Sequence, residues 1–105
     1  MKLTIKDRLI LNSIYPKESN IVNQTLIRDI SKKIEIPQDE MKAINLRPKD
    51  GMLLWDEGKG KDIEVKFSAL ELNLLKGQVD KLDKENKITM DILDLCLKIR
   101  EEKNG

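Results

Sequence analysis

Apolar positions in the first half of the chain recur at helical spacing. Ile5, Leu9, Ile10 and Ile14 predict a first helix over residues 5–14, with Thr4 placed to cap it. YPKESN interrupts the pattern, because Pro16 disfavours a helical Tyr15. Val22, Leu26, Ile30 and Ile34 then fall at i+4 steps behind Asn20, a second capping residue, and Ile27 widens the stripe into a core-facing surface. Pro37 suits the first turn of a short third helix reaching about Asn45, where Asp39 and Glu40 favour the positive N-terminal end.

After Arg47-Pro48 the period shortens. KDG marks a turn, MLLWD reads as a strand, and EGKGKD is a flexible connection of glycines and charges. DIEVKF alternates cleanly, with Ile63, Val65 and Phe67 on one face and Glu64 and Lys66 on the other. The two strands predict a β-hairpin with the Gly-Lys-Gly-Lys loop at its tip. SALE has capping-box form, Ser68 before Glu71, and opens a helix over residues 69–84 whose Leu72, Leu75, Val79 and Leu82 share a face. ENK breaks it. Thr89 caps a last helix, from Met90 to about Glu102, whose apolar face (Ile92, Leu95, Cys96, Ile99) is broadened by Leu93 and Leu97. A stripe so broad suits contact with its partner helix and the domain, or a homodimer through the C-terminal helices.

The order predicts an α+β fold in a single domain, 1–105. Residues 1–67 form a three-helix part with a β-hairpin, winged-helix-like in layout; residues 68–105 add an antiparallel helical hairpin. That layout fixes no function.

Composition narrows the chemistry. The 105 residues are 39% hydrophobic and 37% charged, which suits one small globular domain. No apolar run is long enough to span a bilayer, and the N-terminus lacks the form of a secretory signal. With one cysteine, Cys96, there is no internal disulfide, in keeping with a reducing cytoplasm. The absence of histidine removes histidine bases, Ser-His and Cys-His nucleophile pairs and most zinc sites. No cofactor-binding motif is present: GKGKD lacks the Ser or Thr and the helix that a phosphate-binding loop requires.

Charge bears on nucleic-acid binding. Twenty basic and nineteen acidic residues leave a net charge of +1. Over residues 25–45, Arg28, Lys32, Lys33 and Lys42 balance Asp29, Glu35, Asp39 and Glu40; over the hairpin region Arg47, Lys49, Lys59 and Lys61 balance Asp50, Asp56, Glu57 and Asp62. A DNA reader concentrates cations where phosphates approach, and neither surface does. The candidate partner or nucleic-acid contacts are Arg47, Lys49, Trp55, Lys59, Lys61 and Lys42. Trp55 reads as the anchor of the hairpin on the helices, and as a partner contact if exposed. Asp50, Glu64 and Lys66 have the residue types of a Mg²⁺-dependent nuclease, in which two carboxylates hold the metal and a lysine polarises water. Alternating Glu and Lys on a strand's outer face equally serves solvation.

DRLILNSIYPKESN, IRDISKKIEIPQDEMKAINLR, LLWD, DIEVKFSALELNLLKGQVDKLDKENKIT and the closing helix together resemble a family of small, mostly uncharacterised tailed-phage and prophage proteins. The resemblance covers most of the chain as a pattern of helices and turns, and it departs at the tail, LCLKIREEKNG, where relatives often carry aromatics. It implies a phage or prophage origin, action in the host cytoplasm and a non-enzymatic role. The resulting expectation is an accessory protein that binds a host or phage protein without catalysis, concretely an inhibitor of a host defence nuclease of the anti-CRISPR kind. The alternative is a winged-helix DNA-binding regulator, and a small Mg-dependent nuclease comes third.

Overall fold

The computed structural model describes residues 1–103, and in it the chain adopts an α+β fold. Strand β1 (Lys2–Leu3) leads into α1 (Ile5–Ile10), which tightens into a 3₁₀ turn at Leu11–Ser13. Helices α2 (Ile21–Ile34) and α3 (Gln38–Ala43) follow, then strands β2 (Arg47–Lys49), β3 (Met52–Leu54) and β4 (Ile63–Glu64). Helices α4 (Ala69–Lys84) and α5 (Met90–Glu101) complete the chain.

Local chemistry accounts for the helix boundaries. Thr4 and Ser68 each accept a bond from the backbone N–H three residues on, and the carboxylates of Asp7 and Glu71 accept one from the cap's own N–H. Asn20 Oδ1 accepts from Asn23 N at 2.8 Å. Thr89 stands before α5 as expected, but its side chain makes no capping bond. Helices α3 and α4 both end on an asparagine in the left-handed region, Asn45 (φ 54) and Asn86 (φ 56). In each case the next N–H reaches back to the carbonyl five residues earlier, Leu46 to Met41 and Lys87 to Leu82, closing a Schellman motif.

The strand pairing departs from expectation. The hairpin is β2 with β3, registered Arg47↔Leu54 and Lys49↔Met52, and its tip is Asp50-Gly51. Both tip residues have positive φ (52° and 78°), the two-residue turn whose twist matches antiparallel strands. The expected partner, β4, pairs instead with β1, Lys2↔Glu64 and Leu3↔Ile63, and Val65 N donates to Met1 O. The alternation Ile63, Val65, Phe67 is right for a half-buried strand, but alternation does not name the partner.

The Gly-Lys-Gly-Lys loop is therefore no hairpin tip. It packs back on the helices: Asp56 N donates to Ile44 O at 2.8 Å, and a Cβ on Gly60 would stand 2.5 Å from Ile5 Cγ1.

One cluster forms most of the core. Leu3, Leu11, Ile14, Ile30 and Val65 from the first two-thirds of the chain pack with Leu75, Val79, Leu95 and Ile99 from α4 and α5. A smaller cluster, Ile5, Ile36 and Ile44, lies under Leu9, Leu46 and Trp55. Val22 departs from the expected inward stripe of α2: it is 65% exposed, and the inward face begins at the half-buried Leu26. On α5, Leu93 is half-buried and Leu97 exposed, so the apolar face narrows to Ile92, Leu95, Cys96 and Ile99.

Among the described residues three charged side chains are buried, and each ties one helix to another. Asp7 of α1 accepts from Lys98 of α5 at 2.6 Å. Glu71 of α4 accepts from Lys33 of α2 at 2.5 Å. Arg8 of α1 donates to the carbonyls of Ile34 and Glu35 and holds Glu40 of α3 at 2.7 Å. A buried ion left without its partner is costly, so these pairs restrict how the helices can be arranged.

Candidate functional site

The connection from α2 to α3 sets the geometry of the most distinctive surface. Glu35 is extended (ψ 136), as is Pro37, so α2 stops and the chain re-enters a helix three residues later. The last carbonyls of α2 lack helical partners, and the Arg8 guanidinium supplies donors to two of them. This holds α3 across the end of α2, with the β2–β3 hairpin running directly from the Schellman cap of α3.

Between α1, α2, α3 and β3 lies an open groove of about 520 Å³. Leu9, Tyr15, Ile34 and Ile36 line its interior, and Met41 and Leu53, 37% and 48% exposed, edge it from α3 and β3. The remaining α2 lining is polar: Arg28, Ser31 and Lys32. Tyr15 places its hydroxyl out of solvent with no hydrogen-bond partner. Burial raises its pKa, and the neighbouring Ser31 hydroxyl offsets this only in part.

None of the sequence-predicted contact positions lines this groove. Lys42 on α3 and Lys49 on the hairpin are exposed, and no ion pair engages either among the described residues. Arg47 and Lys59 both reach Asp56, at 3.3 and 3.5 Å, so part of their charge is already neutralised. Lys61 is exposed in the loop that packs on Ile44. Trp55 is half-buried on the Ile5–Ile36–Ile44 cluster, where it fastens the end of β3 to the helices.

The carboxylates proposed for metal are not assembled on one strand pair. Asp50 occupies the tip of the β2–β3 hairpin, whereas Glu64 lies in the β1–β4 sheet and accepts from the Met1 ammonium at 3.1 Å. Among the described residues no cluster of three acidic or cysteine side chains is placed to hold a metal ion. Cys96 is buried, and burial raises its thiol pKa, with Arg100 opposing and Asp83 adding; a raised pKa keeps it a thiol at neutral pH.

The sequence reading did not single out Arg28, Lys32, Met41 and Leu53 as a surface. Two signals for them exist in the sequence. Arg28 and Lys32 stand at i,i+4 on the polar face of an amphipathic helix, and Asp-Gly is a strong hairpin turn that places Leu53 on a short exposed wing.

A second cleft of the same volume lies between β4, the start of α4 and the end of α5. Two of its charges, Met1 and Glu64, pair with each other. No helix is long and apolar enough to cross a membrane among the described residues. No family model, curated protein or solved structure matches the chain.

Proposed function

We propose that this chain acts by stoichiometric, non-catalytic binding to another macromolecule, in first place a protein. The observation that carries the reading is the open groove, whose apolar interior continues onto the exposed Met41 and Leu53. Contiguous exposed apolar side chains beside a concavity mark an interaction surface more often than scattered ones do. In the phage or prophage setting that the resemblance implies, the partner is a host or phage protein, and a host defence nuclease held inactive is the concrete case.

The test is affinity capture from host lysate with the intact chain and with Leu53→Asp. A single captured protein that is lost with the variant, while the helical circular-dichroism spectrum is unchanged, supports the reading. Capture that is indifferent to Leu53→Asp removes the groove from it.

One observation favours a second reading, a DNA-binding regulator. Lys42 and Lys49 are exposed and free of ion pairs among the described residues, on a short helix and the hairpin that follows it. Against this, α3 has only six residues and carries Asp39 in its first turn. Binding to duplex DNA that weakens steeply with salt would support the regulator, since counterion release sets that slope. No retention at low salt would sink it.

A further inference from the structure

The chemistry of the groove narrows its occupant. Arg28 and Lys32 project from α2 one turn apart, both exposed, and among the described residues neither has an ion pair. The third cation lining the groove, Arg8, is spent on Glu40 and two carbonyls. Glu35 is the one acidic side chain in the lining among the described residues. The groove therefore combines an apolar interior with a pair of unspent cations along a single edge.

We propose that the groove receives an amphipathic helix of a partner protein, whose apolar stripe is flanked by acidic residues four positions apart. This rests on the reading of the groove as the partner-binding surface. Side chains at i and i+4 of a helix are roughly 5–6 Å apart at Cβ, so two carboxylates on the incoming helix match the Arg28–Lys32 spacing when the helices lie side by side. The apolar stripe of that helix covers Ile36, Met41 and Leu53, the helix-in-groove mode of recognition. A fully apolar segment would leave both cations without partners. A DNA backbone would leave the apolar interior uncovered. Charge pairs at such a rim chiefly set which partner is accepted and how fast it arrives, while the apolar contact supplies affinity.

The probe is a synthetic amphipathic peptide with leucines along one face and glutamates four residues apart along one edge, titrated into isotope-labelled full chain. A control peptide carries lysines in place of the glutamates. The glutamate peptide is expected to shift the amide signals of Arg28, Lys32, Ile36, Met41 and Leu53, and to bind about tenfold or more tightly than the lysine peptide. The double variant R28E/K32E should reverse that preference, and Leu53→Asp should weaken both peptides. Equal binding of the two peptides, no binding at all, or a preference that survives R28E/K32E would overturn the proposal. So would self-association of the chain lost with Leu53→Asp, because the occupant is then a second copy. Capture of the cellular partner separates the two levels. Loss with Leu53→Asp but not with R28E/K32E keeps the groove and removes the acidic helix; loss with neither removes the groove as well.

Discussion

Glu71 shows how a single buried carboxylate becomes a determinant of stability. Burial by itself would raise its pKa, but the Lys33 hydrogen bond, the Ser68 backbone N–H and hydroxyl, and the Lys33 charge together outweigh it, and the pKa is lowered. A carboxyl with a lowered folded-state pKa contributes stability above its unfolded pKa and loses it as pH falls through the folded one. Urea midpoints measured from about pH 7 to about pH 3 should therefore decline below the ordinary glutamate value of about 4.3. Glu71→Gln should flatten that part of the profile; an unchanged profile would show that Glu71 does not set it. Gly60 makes a different kind of demand. The α-hydrogen that stands where a Cβ would be faces Ile5 and Ile44, and a methyl there, 2.5 Å from Ile5 Cγ1, forces one of them to move. Gly60→Ala is expected to cost about 1–3 kcal/mol by overpacking, read as a lowered urea midpoint at unchanged slope.

Helix α1 ties distant elements together through two adjacent side chains. Its six residues contribute Asp7 to α5 and Arg8 to both sides of the α2–α3 turn. Arg8→Met keeps much of the packing but leaves Glu40 and the carbonyls of Ile34 and Glu35 without their donor. Since Glu40 retains some solvent contact (26%), the expected loss is about 2–4 kcal/mol, somewhat less than for a fully buried pair. The loss should appear first at α3. Hydrogen exchange of the Met41 and Ile44 amides should accelerate more than that of Leu95 or Ile99; uniform acceleration would mean that Arg8 stabilises the whole core and not the turn. The hairpin illustrates the limit of local signals. Asp-Gly specifies the turn and so β2–β3, yet MLLWD and DIEVKF are both acceptable strands, and alternation alone favoured pairing them with each other. The competing partner, Lys2–Leu3, is too short to show any period.

For the molecule as a whole, the division at residue 67 crosses the core. Leu75, Val79, Leu95 and Ile99 are fully buried or nearly so against Leu3, Leu11, Ile14 and Ile30. Each such side chain contributes roughly 1.5–3 kcal/mol by leaving water, so the four from α4 and α5 together contribute about as much as the net stability of a typical small domain. A chain ending at residue 67 also loses the partners of Asp7 and Lys33. It is expected to show no cooperative unfolding transition and little helical circular dichroism. A folded fragment with a sharp transition would contradict a shared core.

Helix identity and most helix starts were legible because their causes are local, although Thr89 makes no capping bond and α1 gives way to a 3₁₀ turn after Ile10. Thr4 with Asp7 and Ser68 with Glu71 satisfy backbone groups within one turn, and apolar spacing sets which face turns inward. The α+β class follows from those elements and the alternating strand. Three things depend on contacts between residues far apart in the chain, and no short window contains them. They are the pairing of Leu3 with Ile63, the packing of the 55–62 loop through Gly60, and the groove formed where Arg8 holds α3 across the end of α2. The candidate site belongs to this second group. Arg28, Lys32, Met41 and Leu53 lie on three different elements, and each alone is an ordinary surface residue. What makes them a surface is the tertiary arrangement that leaves Met41 and Leu53 exposed beside an apolar floor, next to cations that no internal carboxylate neutralises.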